Sequence, residues 1–391
     1  MKTIFSIRWV FVLWLAAICA PVHAQRVRIS RLDGSNISPA EIDRAVVQVM
    51  ETSHVTGAGI AVFNQGKIVY LKTYGFRDTR KRLPLTPDSI MTAASLSKSA
   101  FATMVMELVD AKIIDLDKPV YEYLPKPLPD YPRYSDLAGD SRYKQITMRM
   151  LLDHTSGFPN WRWATPDKKL KIYFQPGTRF AYSGEGIDLA QMVVEIATKE
   201  SITELMQDRM FRPLGMTRTS MVWAPRFESN FANGYDEHGK SLGPQRRQKG
   251  DAAGGMQTTL RDYARFVQAV LDGKIPNKAS RRTMLSPQIQ ILSAHEFPSL
   301  DSATDVAGDR AIHLSYGLGW GLFWTPYGKA FFKEGHDDGW RHYVVCFDKP
   351  RSGILIMTNS SNGEDIYDGL LRSVLGDAFT PLDWEGFRPA H

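Results

Sequence analysis

The stretch Ser95-Leu96-Ser97-Lys98-Ser99-Ala100-Phe101-Ala102-Thr103-Met104-Val105-Met106-Glu107-Leu108-Val109 decides how the chain is read. Phe101, Met104, Val105, Leu108 and Val109 recur at helical intervals, which predicts a buried helix with a rigid first turn. Ser95 and Lys98 stand three residues apart at its head, so they share a face and the amine can reach the hydroxyl. Two readings of Ser95 compete: a capping serine at a helix start, or a nucleophile beside its base. The spacing alone is common. It returns at Ser141-Arg142-Tyr143-Lys144, in a polar stretch with no amphipathic run behind it, which reads as a surface loop.

Working outward, Ser38-Pro39-Ala40-Glu41 opens a helix with Ile42, Val46, Val47 and Met50 on one face. Gly57 to Asn64 and Lys67 to Tyr74 read as strands joined by a tight turn at Gln65-Gly66. From Ser95 to about Pro287 the pattern is mostly helical with long loops. Strand character returns at Leu314 to Phe323, Ala330 to Lys333, Tyr343 to Phe347 and Gly353 to Met357, before a last helix from about Asp365 to Leu375. Strands at both ends with helices between predict an α/β (α+β) unit: one sheet built from both termini, flanked by helices, with an all-helical insertion. The sheet part covers about 38–90 and 300–380, and the helical part about 91–299. No repeat or linker divides residues 25–391.

Residues 1–24 carry Lys2 and Arg8, an apolar run from Trp9 to Ala20, and Val22-His23-Ala24 as a small-residue cleavage pattern. That is the composition of a secretory signal peptide, and it predicts a periplasmic or secreted protein with no stable membrane span after cleavage. Loss of Cys19 with the leader leaves Cys346 as the remaining thiol, so no intrachain disulfide is expected. With 43% hydrophobic residues the chain has ample material for a core. Its formal charge is +6, and the basic clusters near Arg80 and Arg246 are short and flanked by Pro, Gly or Asp, so a nucleic-acid surface is not expected.

A serine hydroxyl needs a proton acceptor and an oxyanion partner before it attacks a carbonyl. Lys98 serves only if burial or a neighbouring charge lowers its pKa. Tyr182, in the loop Phe174 to Gly184 before a helix bearing Leu189, Val193 and Ile196, is either an aromatic packing residue or a second base, since a nearby cation favours the phenolate. No Gly-x-Ser-x-Gly elbow, zinc helix, phosphate loop or paired-cysteine motif is present.

Ser-Leu-Ser-Lys, His154-Thr155-Ser156-Gly157, the Phe-x-Pro-Gly-x-x-Phe-x-Tyr-Ser run, Pro213-Leu214-Gly215-Met216, Gly254-Gly255-Met256 and Tyr316-Gly317-Leu318-Gly319-Trp320 follow one another in order. Together they resemble the serine beta-lactamase-related hydrolases, which include class C beta-lactamases, D-alanyl-D-alanine carboxypeptidases, D-aminopeptidases and family VIII carboxylesterases. The resemblance spans about residues 45–375. It implies Ser95 as acylated nucleophile, Lys98 as its proton partner, Tyr182 as base and no cofactor.

Two departures bear on the substrate. Gly184 stands where beta-lactam hydrolysing relatives carry an asparagine. The third motif, Lys-Thr-Gly or His-x-Gly in relatives, reads as Gly335-His336-Asp337-Asp338-Gly339, with His336 in place of the lysine. Without gaps Asp338 takes the glycine position; with a bulge Gly339 does, and the backbone N–H groups of Ser95 and Gly339 become the oxyanion donors. Asp337 and Asp338 either hold a substrate amine, pair with Arg341 or cap a turn. The resulting expectation is an exported serine hydrolase of carboxylic esters or small amides; a beta-lactamase or D-alanyl-D-alanine peptidase, and a non-catalytic cell-wall-fragment binder, are the alternatives.

Overall fold

The computed structural model describes residues 28–300 and 310–387, so the leader read at 1–24 lies outside the described residues. Nine antiparallel strands form the main sheet: β1 (Gly57–Asn64), β2 (Lys67–Asp78), β3 (Leu83–Pro84), β4 (Ile289–Gln290), β5 (Ser315–Tyr316), β6 (Gly321–Thr325), β7 (Gly328–Asp337), β8 (Trp340–Phe347) and β9 (Ser352–Thr358). Their order is β4-β5-β6-β7-β8-β9-β1-β2-β3. The two chain ends meet where β9 pairs with β1, Ile356 opposite Ile60. Gln65 and Gly66, at φ 50° and 76°, supply the left-handed turn that joins β1 to β2.

Both faces of this sheet are covered, which is why β1, β8 and β9 read as nearly unbroken apolar runs. Ile60 and Val62 face the core that holds α1 (Pro39–Thr52), through Ile42, Val46 and Met50. Ala61 and Phe63 face the opposite core, against the helical part. Ser38 caps α1 reciprocally with Glu41: the Ser38 N–H donates to Glu41 Oε2 at 2.8 Å, and Ser38 Oγ accepts from the Glu41 N–H.

The helical part contributes α2 (Leu96–Asp110), α3 (Met148–Leu152), α4 (Gly184–Thr198), α5 (Ile202–Met206) and α6 (Leu260–Leu271). Most residues of α2 are buried, including Phe101, Met104, Val105 and Leu108, because the helix lies between the sheet and its fellow helices.

Three elements differ from the sequence reading. Leu314 to Phe323 is two short strands: Gly317 N donates to Trp320 O at 2.8 Å, and this turn lets Leu318 and Gly319 bond the carbonyls of Met284 and Leu152 in the helical part. The last helix begins as a tight turn at Gly363–Ile366 and ends as a wide one at Leu371–Leu375. Ser141–Gln145 is a short 3-10 helix, still at the surface. Among the described residues no helix is long and apolar enough to cross a membrane.

Candidate active site

Ser95 sits at the N-cap position of α2, but its side chain makes no capping bond. Lys98 Nζ donates to Ser95 Oγ at 2.9 Å and to the Ala253 carbonyl at 2.6 Å. The loop that supplies this carbonyl is fixed to α2: Ser97 Oγ accepts from Met256 N at 3.1 Å, and Ala93 N donates to Met256 O at 2.8 Å. Lys98 is buried, and loss of hydration, reinforced by the nearby Lys333 cation, brings its pKa down to about 8.

Tyr182 is buried directly before α4, whose N-cap Ser183 accepts from Gly186 N at 2.9 Å and donates to Pro159 O at 2.9 Å. His154 orients this loop. Its Nδ1 accepts from Ser183 N at 3.2 Å, its ring lies 4.4 Å from the Tyr182 ring, and burial holds it neutral. Lys98 Nζ is 5.0 Å from the centre of the Tyr182 ring. The expectation of a phenolate is corrected here. Burial and then the Glu334 carboxylate hold the Tyr182 pKa well above 10, outweighing its hydrogen bond with Ser95. Tyr182 is a phenol that holds its proton.

Its polar neighbour was not foreseen. Lys333, buried on β7, donates from Nζ to Tyr182 OH at 3.0 Å and pairs with the Glu334 carboxylate.

The end of β7 overturns two further expectations. Asp337 pairs with Trp340, which makes Asp338-Gly339 the two-residue turn between β7 and β8. The Gly339 N–H donates to Ser361 Oγ at 2.9 Å, so it is spent on the segment after β9 and is no oxyanion donor. Neither Asp338 nor Gly339 lines the pocket around Ser95. Asp337 does line it, but its Oδ2 accepts from Arg247 Nη2 and Gln245 Nε2, both at 3.1 Å. The Asp337 side chain is thus occupied by Arg247, not Arg341.

Gly184 is explained by a neighbour. A Cβ at this position would stand 2.4 Å from the Trp161 ring, which occupies the space a longer side chain would need. Trp161 and Trp163 both line the pocket.

That pocket encloses about 670 Å³ and reaches Ser95, Lys98, Tyr182 and Ala253 at its floor. Its walls carry Asp251, Glu334, Asp337, Glu364 and Glu385 against Lys98 and Arg247, an excess of acidic groups. His336, also in the wall, has its pKa lowered to about 4 by desolvation and Arg341, so it brings no positive charge at neutral pH. Glu296, Glu334 and Glu385 form the described group able to surround a cation, with ligand atoms within 4.8 Å of one another.

A serine bonded to a buried lysine beside a buried phenol is an acyl-transfer geometry. The family model described as Beta-lactamase matches residues 42–375. The chain belongs to the Beta-lactamase family.

The relatives are distant. Protein flp of Staphylococcus aureus (strain N315) is 25% identical over 53% of this chain, and the match spans 43% of that protein's length. Penicillin-binding protein 4* of Bacillus subtilis (strain 168) is 22% identical over 84% of this chain and 74% of its own. Among solved structures, the octameric penicillin-binding protein homologue from Pyrococcus abyssi superimposes with a TM-score of 0.70 at 22% identity, covering 88% of this chain and 78% of that one. A penicillin binding protein from Bacillus halodurans gives 0.65 at 20% identity, over 83% and 98% of the two chains. These likenesses show the fold.

A second pattern of the third-motif type begins three residues before His336. Lys333-Glu334-Gly335 differs from Lys-Thr-Gly at the middle position alone, and its lysine is the one that reaches Tyr182. Gly335 faces α2 so closely that a Cβ would lie 2.9 Å from the Ala93 carbonyl. The signal was present in the sequence as Lys-Glu-Gly, but the overlapping Gly-His-Asp-Asp-Gly concealed it.

Proposed function

We propose that the chain is an exported serine hydrolase that cleaves a carboxylic ester or a small peptide-like amide through an acyl-enzyme on Ser95. The observation that carries this is the 2.9 Å bond from Lys98 to Ser95 at a site where the lysine is half neutral near pH 8. Neutral Lys98 takes the Ser95 proton as Oγ attacks the carbonyl carbon. Tyr182, protonated and bonded to Lys333, donates to the leaving group and is reprotonated by the Lys98 ammonium, so the net transfer is of the Ser95 proton to the leaving group. Water then attacks the ester formed on Ser95 by the same route in reverse.

The oxyanion is held by the backbone N–H groups of Ser95 and His336. Support for His336 comes from strand geometry. A two-residue hairpin bonds its closing pair, Asp337 with Trp340, so the preceding residue turns its N–H to the other edge. That edge is open, because pairing of β7 with β6 ends at Phe332.

A beta-lactamase or D-alanyl-D-alanine peptidase is the second reading, and Lys333-Glu334-Gly335 favours it. Against it stand the tie of Lys333 to Glu334, the Trp161 ring over Gly184 and the acidic pocket wall, none of which suits a substrate carboxylate. Turnover of p-nitrophenyl butyrate and nitrocefin side by side tests the ranking: ester cleavage dominating supports ours, and nitrocefin cleavage alone reverses it. A fluorophosphonate probe is expected to mark Ser95; a folded protein left unmarked would speak for a binding protein. N-terminal sequencing of the exported form is expected to begin at Gln25.

A further inference from the structure

The pocket does not end at Tyr182. Beyond Lys333, the carboxylates of Glu334, Glu385 and Glu296 converge, with ligand atoms within 4.8 Å of one another. They come from three separate segments: β7, the short helix Leu382–Glu385, and the loop after β4, whose Glu296 N–H donates to Trp384 O at 2.9 Å. Glu334 and Glu385 line the same cavity as Ser95, together with Phe297, Gly386 and Phe387.

Three buried carboxylates are costly to bring together, and their own partners do not satisfy them. Glu334 Oε1 pairs with Lys333, and Glu385 Oε2 accepts from Tyr343 OH at 2.6 Å. Glu296 Oε2 and Glu385 Oε1 have no hydrogen-bond partner, although Glu296 is 2% and Glu385 6% exposed. Burial, with repulsion from Glu334 and, at Glu385, first from Glu296, raises both their pKa values well above the usual carboxylate range, so a cation entering the recess would displace protons.

We propose that this recess, opening from the Ser95 pocket, is a subsite for a primary ammonium group on the substrate, which makes amine-bearing esters or amides the preferred class. The inference rests on the reading of Ser95 as nucleophile. An ammonium carries three N–H donors, the unpartnered Glu296 Oε2 and Glu385 Oε1 offer it two buried acceptors, and the flanking Phe297 and Phe387 rings suit its hydrocarbon stem. A hard divalent cation fits less well: calcium takes about six to eight oxygens, and here a lysine ammonium is already bound to one of three carboxylates. The amine role considered for Asp337 is thereby moved to groups that no guanidinium occupies.

The test compares p-nitrophenyl esters of β-alanine and aminohexanoate with their N-acetyl counterparts on the whole protein. At one chain length or both, the free amine is expected to raise kcat/KM about ten- to a hundredfold, the worth of a charge-assisted hydrogen bond. In Glu385→Gln, which keeps an acceptor for Tyr343, and independently in Glu296→Gln, that ratio is expected to fall towards one. Calorimetry on Ser95→Ala with the aminohexanoate ester, in buffers of different ionisation enthalpy, is expected to show proton release on binding. An equal rate for amine and N-acetyl esters in protein whose Ser95 is marked by fluorophosphonate overturns the subsite and leaves the hydrolase reading standing. Binding of manganese or calcium that both variants abolish also overturns it, in favour of a metal site. Failure of every ester with Ser95 unmarked defeats the hydrolase reading, while the Ser95→Ala calorimetry still reads the recess.

Discussion

The start of α2 and the end of β7 face each other across the pocket, and they present chemistry by different rules. On α2 the nucleophile and its base are three residues apart, so helix geometry alone brings Lys98 Nζ to Ser95 Oγ. On β7 the neighbours Lys333 and Glu334 pair with each other, and what else each reaches depends on the strand's partners and on where the hairpin closes. Helix motifs therefore declare themselves locally, whereas a strand motif shifted by a few residues yields a different site.

The largest effects are expected on the α2 side. Ser95→Ala should abolish acyl-enzyme formation, read by mass spectrometry. Lys98→Ala and Tyr182→Phe should each lower kcat about a hundred- to ten-thousandfold, as groups that transfer protons in one step. Near wild-type kcat in Tyr182→Phe would show the α2 pair to be sufficient and would break the symmetry between the two sides.

The next effect separates the two candidate registers of β7. Lys333→Met should lower kcat/KM more than His336→Ala does, because Lys333 touches Tyr182 while the neutral His336 ring only lines the wall. The pH profile adds a readout that simple misfolding would not give. Lys98 is active as the free amine, so kcat/KM should rise with pH and level off above about 8. The Lys333 charge helps to lower that pKa, so its removal should move the limb to higher pH. An unmoved limb in Lys333→Met would place the lysine outside the electrostatics of the site.

These differences also explain what could be read without coordinates. The hairpin at Gln65-Gly66, the buried α2 and the meeting of both chain ends in one sheet follow from local periodicity and turn chemistry, which neighbours along the chain determine. Tyr182 was reachable through family resemblance, since nothing near it in sequence reveals the Lys333 it meets. Lys333 is hidden in the sequence because its strand carries two overlapping glycine-flanked patterns, and only the closing pair Asp337–Trp340 chooses between them. Glu296 and Glu385 were out of reach altogether: two unrelated segments are joined by the bond from Glu296 N to Trp384 O.

A smaller effect is expected at Gly184, on the α4 side of the pocket. Gly184→Asn restores the residue that beta-lactam hydrolysing relatives carry, but its side chain must displace the Trp161 ring. The substitution alone should cost about 1–3 kcal/mol of stability by overpacking and yield no nitrocefin turnover. Combining it with Trp161→Ala should recover part of that stability, measured by denaturant unfolding. Full stability in the single variant would show that the indole moves aside freely.

The smallest expected effect is the sharpest test of the register. Asp338 is exposed in the hairpin turn and absent from the pocket wall, so Asp338→Ala should change stability by less than about 0.5 kcal/mol and kcat/KM by less than about twofold. In the alternative register the same residue occupies the glycine position of the third motif, beside the oxyanion. A clear gain or loss of kcat in Asp338→Ala, with unfolding unchanged, would return the motif to His336 and remove Lys333 from the centre of the site. A silent Asp338→Ala beside an impaired Lys333→Met leaves Lys333-Glu334-Gly335 as the assignment that accounts for both.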